Sequence, residues 1–425
     1  MKHATEENKH AVNEKRHAFP RKPAYIAALV VMGLVTVAFF VMLILADLLP
    51  SDLTIILAVI VIVLLLLTCF MFASRYRWKR VIGIFLAIIF VGVLAFVTNF
   101  MRCTYAMFNK MGVSTIEAEG PVAKSVSVTE EPFSVYITGI DQFAYEKGQD
   151  LERSDVNMII TVNPVTKKVL LTSIPRDAYV KLHTAQEMDK LTHTGVYGVD
   201  ETLNTVEDWL GIDLNYYVKM NFTGARNIMT AMNGIDVYSP VEFDSSLKGY
   251  HYNKGWNHLS GKEALYFARE RKAFEGQDSI RVENQQRVVK AIIKKLTSST
   301  TILTRYGAIM DAAGDNLTTN MSAAEMTELV KMQMTELCEW DVETQKIEGE
   351  YDEDYVASLT QTQKFSIYRP DPASVTKCCS GIRSIMNPKA SEVEEAKKNR
   401  SKSFVVNMAK SAYDRIVNGK DEEEE

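Results

Sequence analysis

The residues best equipped for chemistry are arginines and acids set beside turns: Asp141, Arg153-Ser-Asp155, Pro175-Arg176-Asp177, Arg269-Glu-Arg271, Asp278, Arg281 and Gln285. A guanidinium is planar and always charged, so it matches phosphate oxygens two at a time; several converging forks suit a pyrophosphate. Asp141 follows an apolar run ending at Gly139, and Asp155 precedes the next one. Ends of adjacent strands bring two carboxylates together. Two hard oxygen ligands, with water completing the shell, suit Mg2+ held with a phosphate substrate. Taken singly, each aspartate reads as well as a turn cap, and each arginine as a solvated surface residue or ion-pair partner. Arg269 and Arg271 would splay apart on a regular helix. We therefore read the helix as ending there, with both side chains projecting into one cleft. Arg281 and Gln285 are four apart and share a helix face.

The elements that must position these residues alternate in type. Phe133–Gly139 is a β-type run. Asn157–Val162 and Val169–Ile174 are two more, joined by a connector with turn chemistry, and form a hairpin. Helical spacing covers Val199–Leu210, Tyr216–Asn221 reads as a strand, Gly224–Met232 as a helix and Ile235–Tyr238 as a strand. Ser260 caps a helix through Arg269, with Glu263 completing a capping box. A longer helix covers Ile280–Leu296, and another runs from Ser322 to Leu337. Strands follow at Val342–Ile347 and Phe365–Tyr368, and Asp371-Pro372 opens a last helix. This alternation predicts an α/β layered domain with a mixed sheet.

The chain is 425 residues long, 47% apolar and 24% charged, with a net charge of −5. That balance argues against nucleic-acid binding, which needs a concentrated basic face. Three uncharged runs, Tyr25–Ala46, Leu53–Ala73 and Val81–Phe100, each have the roughly 20 residues that span a bilayer core. Their flanks set an orientation. Lys2, Lys9, Lys15, Arg16, Arg21 and Lys22 precede the first run, the first loop holds Asp47 and Asp52 without bases, and the second loop, 74–80, is strongly basic. Basic, acidic, basic places the N-terminus in the cytoplasm and everything after the third span outside. The expected layout is a cytoplasmic segment over 1–24, membrane helices over 25–100, a stalk over 101–131, an outer domain over 132–386, and a charged tail over 387–425, disordered or helical. The five cysteines show no metal-ligand spacing. Cys338 bridged to Cys378 or Cys379 and free thiols are both open readings.

The outer part has no P-loop, nucleophile elbow, zinc-protease helix or dinucleotide fingerprint. Its ordered set is different: Gly-Ile-Asp141, Arg153-Ser-Asp155-x-Asn157, Ser173-Ile-Pro-Arg-Asp177, Lys190-Leu-Thr-His193, Leu259-x-Gly-x-x-Ala-Leu265, Arg269-Glu-Arg271 and Asp278-x-x-Arg281-x-x-x-Gln285. Over Phe133–Leu296 this set resembles the LytR–CpsA–Psr family. The resemblance implies a membrane-anchored phosphotransferase. It would move a glycopolymer from a polyprenyl-pyrophosphate carrier to a peptidoglycan hydroxyl and release polyprenyl phosphate, with no nucleotide required. It implies Mg2+ on Asp141 and Asp155, and a pyrophosphate gripped by Arg153, Arg176, Arg269, Arg271, Arg281 and Gln285. Asp155, Arg176, Arg269, Arg271 and Asp278 would carry the catalysis, and Asp278 or an acid of the metal shell would be the general base. Asp177 and Lys190 would be supports and His193 structural. The polyprenyl tail would lie in an apolar channel between sheet and helices, compatible with Met158–Val162 and Val169–Leu171. Departures from the family pattern are Asn284 in place of an arginine, Asn233-Gly-Ile235 in place of Gly-Gly-Val, and Thr194-Gly195 after His193. Rival readings are a lipid-pyrophosphate pyrophosphatase with water as acceptor and a non-catalytic polyprenyl-lipid-binding envelope regulator. A DNA-binding regulator fits poorly, because the segment before the first span is too short for a helix pair.

Overall fold

The computed structural model describes residues 22–46, 51–74, 76–117, 123–140, 154–273, 277–314, 316–336, 338–359 and 362–400. The chain divides into two units, Met1–Arg102 and Cys103–Glu425.

The first unit is built from α1 (Lys22–Ala46), α2 (Ser51–Ala73) and the first part of α3 (Arg77–Glu117). Each holds a stretch long and apolar enough to cross a membrane: Ala28–Leu45, Thr54–Met71 and Trp78–Asn99. Two of their hydroxyls bond back within the helix: Thr36 Oγ1 to the Met32 carbonyl at 2.7 Å and Thr68 Oγ1 to the Leu65 carbonyl at 3.1 Å. Helix α3 runs on past Phe100, where the apolar run stops. Met101–Met111 contains neither proline nor glycine, so nothing local ends the helix.

The second unit is a mixed α/β domain. Its strands β1 (Phe133–Ile140), β2 (Ser154–Asn163), β3 (Lys168–Ile174), β6 (Tyr216–Asn221), β11 (Leu317–Thr319) and β12 (Asp341–Lys346) form a six-stranded sheet in the order β11-β6-β1-β2-β3-β12. The pairs β1–β6 and β3–β12 are parallel, and the others antiparallel. Both faces are buried, which explains near-continuous apolar strands. On one face Tyr136, Ile159, Leu170, Ile174 and Tyr217 pack against α5 (Val199–Leu210) and α11 (Pro372–Met386). On the other, Met158, Leu171 and Val342 meet Val289 and Ile293 of α8 (Gln277–Thr297).

The hairpin read over 157–174 is β2–β3, and its turn needs Lys167 at φ 58°. The segment read as a stalk is not a bare linker in its second half. Val128 is fully buried against Phe133, Tyr216 and Met321, and Lys124 pairs with Glu207 and Asp213. Apolar Val126 and Val128 gave that stretch a face to bury. The described cysteines Cys338, Cys378 and Cys379 are free thiols. Small hairpins complete the domain: β4 (Tyr179–Lys181) with β5 (Met188–Lys190), β7 (Ile235–Ser239) with β10 (Gly255–Leu259), β8 (Phe243–Asp244) with β9 (His251–Tyr252), and β13 (Gly349–Asp354) with β14 (Phe365–Pro370). Within the tail, α12 (Ala390–Arg400) is helical and tied to the domain by Glu392 to Lys168; positions 401–425 lie outside the described residues.

Helices α6 (Phe222–Ala231) and α7 (Gly261–Arg269) pack closely because of the glycine of Leu259-x-Gly. A Cβ on Gly261 would stand 2.3 Å from the Arg226 carbonyl oxygen and 2.8 Å from the Thr230 backbone nitrogen. Backbone cannot yield as a side-chain tip can. Gly261→Ala is expected to destabilise the domain by about 1–3 kcal/mol. Lys262→Ala next door, at an exposed position, is expected to stay within about 0.5 kcal/mol of the parent. Thermal unfolding of the purified full chain measures both; equal midpoints would mean that α6 and α7 are not in this contact.

Candidate active site

Strand register brings the strand ends beside Asp155 and Arg176 to one edge of the sheet. Ile140, the last residue of β1, pairs with Ser154 at the start of β2 and with Asn221 at the end of β6. Asn157 pairs with Ile174 at the end of β3, and Ser173 with Lys346 at the end of β12. The carboxyl ends of β1, β3, β6 and β12 therefore share an edge with the amino end of β2. Ligands in open α/β sheets bind at such carboxyl edges.

Asp155 is the second residue of β2. The register shifts from Gly139–Val156 to Ile140–Ser154, so Asp155 is the extra residue of a β-bulge. Bulges recur beside active sites. Asp141 and Arg153 lie outside the described residues; they are the chain neighbours of Ile140 and Ser154. The bulge is braced from beneath. The Ser154 hydroxyl lies 2.6 Å from the Thr138 hydroxyl, and the Tyr136 phenol donates to Asn157 Oδ1 at 2.6 Å. Burial pushes the Tyr136 phenol far up, so it stays a neutral donor.

Arg176 follows β3 by two residues. Its Nε lies 3.3 Å from Asp177 Oδ2, and Lys190 Nζ lies 3.4 Å from the other oxygen of the same carboxylate. The support expected of Asp177 and Lys190 is thus an ion triplet holding Arg176. Thr192 ties the two strand ends together: its N–H donates to the Arg176 carbonyl at 2.8 Å and its hydroxyl to the Ser154 carbonyl at 3.0 Å. Only its place in the Lys190–His193 motif marked Thr192 in the sequence.

Arg269 is the last residue of α7, and its guanidinium lies 4.7 Å over the Phe222 ring. Phe222 opens α6 directly after β6, and its ring lies 3.9 Å from where a Gly139 Cβ would stand. Arg269 therefore reaches the edge where β1 and β6 end. The helix does stop here: Glu270 is extended, with φ −68° and ψ 132°. Glu270 thus separates a helical Arg269 from Arg271, so the splay that a continuous helix would impose on the two arginines does not apply. The Arg271 side chain is exposed.

Arg281 and Gln285, both half-buried, stand in the first turns of α8, and Asp278 is its second residue with a side chain outside the described set. Lys346 fastens these turns to the edge by donating to Ser279 Oγ at 2.7 Å and Glu283 Oε1 at 2.8 Å. Burial alone would raise the Glu283 carboxyl; Lys346 and Arg287 outweigh it and hold it low. No sequence signal marked Lys346. Asn284 is buried and accepts from Arg287 at 2.7 Å. The position where the family pattern has an arginine thus faces inward in this chain.

His193 has a Ser and an Asp beside it but not a catalytic triad. Asp189 Oδ1 at 2.7 Å and Ser358 Oγ at 2.8 Å both approach Nδ1, whereas a triad needs the hydroxyl on the opposite nitrogen. Ser358 N–H also donates to Asp189 Oδ2 at 2.8 Å, so the cluster pins the segment after β13 onto β5. Among the described residues no group of three His, Cys, Asp or Glu gathers as a metal cage. Of the two acids read as Mg2+ ligands, Asp141 and the side chain of Asp155 lie outside the described residues.

The family profile LytR_cpsA_psr matches residues 102–374, and the chain belongs to the LytR–CpsA–Psr family. It is 37% identical over 211 residues to the polyisoprenyl-teichoic acid–peptidoglycan teichoic acid transferase TagU of Bacillus anthracis, covering 49% of this chain and 67% of that protein. For TagU of Bacillus subtilis the identity is 36% over 208 residues, 48% of this chain and 66% of that one. Among solved structures, Bacillus subtilis TagV aligns with a TM-score of 0.51 at 29% identity, over 61% of this chain and 99% of that one. A structure described as TagT bound to LIIa-WTA aligns at 0.50 and 28% identity, over 63% and 98%.

Asp189 gives a pH test of this scaffold. Burial would raise its carboxyl, but bonds from His193, Ser358 and the Lys190 backbone hold it below its ordinary value. A depressed carboxyl stabilises fully above its unfolded pKa, about 4, and that stability is lost as pH falls through the lower folded value. Asp189→Asn is expected to lower the unfolding midpoint near pH 7 and to flatten its fall on the acid side. A parallel curve shifted equally at every pH would contradict the assignment.

Proposed function

We propose that this chain is a phosphotransferase that moves a glycopolymer from a polyprenyl-pyrophosphate carrier to a hydroxyl of peptidoglycan. The observation that carries the reading is the shared sheet edge: Thr192 ties Arg176 to Ser154 beside the bulge, Arg269 lies over Phe222 where β1 and β6 end, and Lys346 fastens the first turns of α8, with Arg281, to the end of β12. The transferase names of the TagU relatives supply the substrate class. The alignments span about two thirds of those relatives' length.

Phosphoryl transfer depends mostly on positioning and charge neutralisation. The arginines would grip the pyrophosphate oxygens. A peptidoglycan hydroxyl would attack the phosphorus next to the polymer's first sugar, lose its proton to a base, and form a phosphodiester. The bond to the distal phosphate would break, and polyprenyl phosphate would leave. Asp278, in the first turn of α8, is the candidate base. Mg2+ held by Asp141 and Asp155 would add charge neutralisation at the pyrophosphate. The catalytic unit would lie outside the cell, with the N-terminus in the cytoplasm, in keeping with the basic flanks of the first and third spans.

The test is carrier-linked glycan labelled with 32P in the sugar-proximal phosphate, given to the full chain with peptidoglycan. Label is expected to enter peptidoglycan, and Asp155→Asn or Arg176→Ala to cut the rate by roughly 10²-fold or more. Label appearing only as soluble sugar phosphate would establish a pyrophosphatase. Bound carrier that never turns over would establish a binding protein.

A further inference from the structure

Between the two arginines of Arg269-Glu-Arg271 sits a carboxylate with no solvent exposure at all. Glu270 Oε2 accepts from the Ser245 hydroxyl at 2.7 Å and the Ser246 N–H at 2.8 Å. Its Oε1 accepts from the Ser246 hydroxyl at 2.8 Å and from the backbone N–H groups of Arg271, Lys272 and Ala273 at 3.0, 2.9 and 3.2 Å. Six donors thus converge on one carboxylate. Three belong to the turn that follows α7, and three to the link between β8 and β9.

The second set of donors stands on a firm base. Phe243 and Tyr252 of the β8–β9 hairpin pack on Phe267 of α7, one tilted and one edge-on, with ring centroids 5.6 and 5.2 Å away. The Tyr252 hydroxyl donates to the Glu263 carbonyl of the same helix at 2.8 Å. Ser245 N–H donates to the Tyr250 carbonyl at 2.7 Å, closing the hairpin loop. Hairpin and helix therefore move together, and Glu270 fastens the outgoing turn to both.

We infer that Glu270 is a positioning residue for the phosphate-gripping arginines: its buried carboxylate locks the turn after α7 and so fixes where Arg269 and Arg271 leave the chain. The inference rests on the proposed reading of these arginines as pyrophosphate ligands. An unlocked turn would leave three backbone N–H groups and two serines seeking partners, and the two guanidiniums would repel each other into separate directions. Burial alone would make the Glu270 carboxyl harder to ionise; the Ser245, Ser246 and Ala273 donors reverse this and keep it charged. Glutamine cannot replace it without loss. Its amide would turn a donor toward the Ser246 N–H, itself a donor.

Glu270→Gln in the full chain tests this, with turnover on carrier-linked glycan expressed per folded molecule. A displacement of about 1 Å in a positioning group costs roughly 10²-fold in rate, and a loss of that size is expected. A merely structural glutamate would lower the unfolding midpoint and leave the turnover of folded molecules unchanged. The discriminating step is a double-mutant cycle with Arg269→Ala/Arg271→Ala. Glu270→Gln should cost little once both arginines are gone. Ser245→Ala/Ser246→Ala, which breaks the lock from the hairpin side, should repeat the pattern. The inference is overturned if Glu270→Gln stays within twofold of the parent, or costs the same factor in both backgrounds. The product formed by the parent separately tests the proposed function. Should the parent release only sugar phosphate, or only bind, the same cycle is read on sugar-phosphate release or on affinity for polyprenyl pyrophosphate.

Discussion

Gathering cations at one edge of a sheet is unfavourable until something compensates them. Two guanidiniums about 6 Å apart repel by roughly 3 kcal/mol at an effective dielectric of about 20. Several cationic arms at this edge are accordingly held by a carboxylate or a ring. Asp177 lies between Arg176 and Lys190. Glu283 lies between Lys346 and Arg287. Arg269 rests on the Phe222 ring, and Glu270 is buried under the turn that carries Arg271. An anion carrying several negative charges at the edge would complete the balance, and a pyrophosphate is such an anion.

The sheet supplies the convergence. One register, Ile140 with both Ser154 and Asn221, brings the ends of three strands side by side. Small residues let them close. Gly139 leaves room for Val156 and Phe222, and Gly261 lets α7 lie against α6 so that its last residue arrives over that ring. Below the bulge, the Tyr136, Asn157, Ser154 and Thr138 side chains form a buried polar network. Such networks specify a unique strand start when fully paired.

Much of this was legible in the sequence. β-type runs located β1, β3, β6, β7 and β12 within a residue or two and β2 within three at its start, and Ser260 with Glu263 marked the start of α7 by local chemistry that holds in the structure. The end of α7 between the two arginines was legible because their spacing makes no sense on a continuous helix. What escaped was set by distant partners. β4, β5, β8 and β9 are two or three residues long and carry no period. Lys346 and Thr192 look ordinary until β12 and the turn after β3 are placed beside their targets. Glu270 reads as a surface acid between two bases, and only the fold around Ser245 and Ser246 shows it buried. The segment after Glu117 looked like a linker because its apolar residues are few; Val128 counts because Phe133 and Tyr216 leave a place for it.

The central claim is that these cations form one seat for two linked phosphates. Its most direct test compares the full chain's affinity for polyprenyl pyrophosphate and for the monophosphate of the same tail length, which share the apolar contribution and differ in the second phosphate. The account predicts that the pyrophosphate binds at least about tenfold more tightly, about 1.4 kcal/mol, and that Arg269→Ala abolishes most of the difference. Equal affinity for the two lipids, or a preference untouched by that substitution, would contradict it.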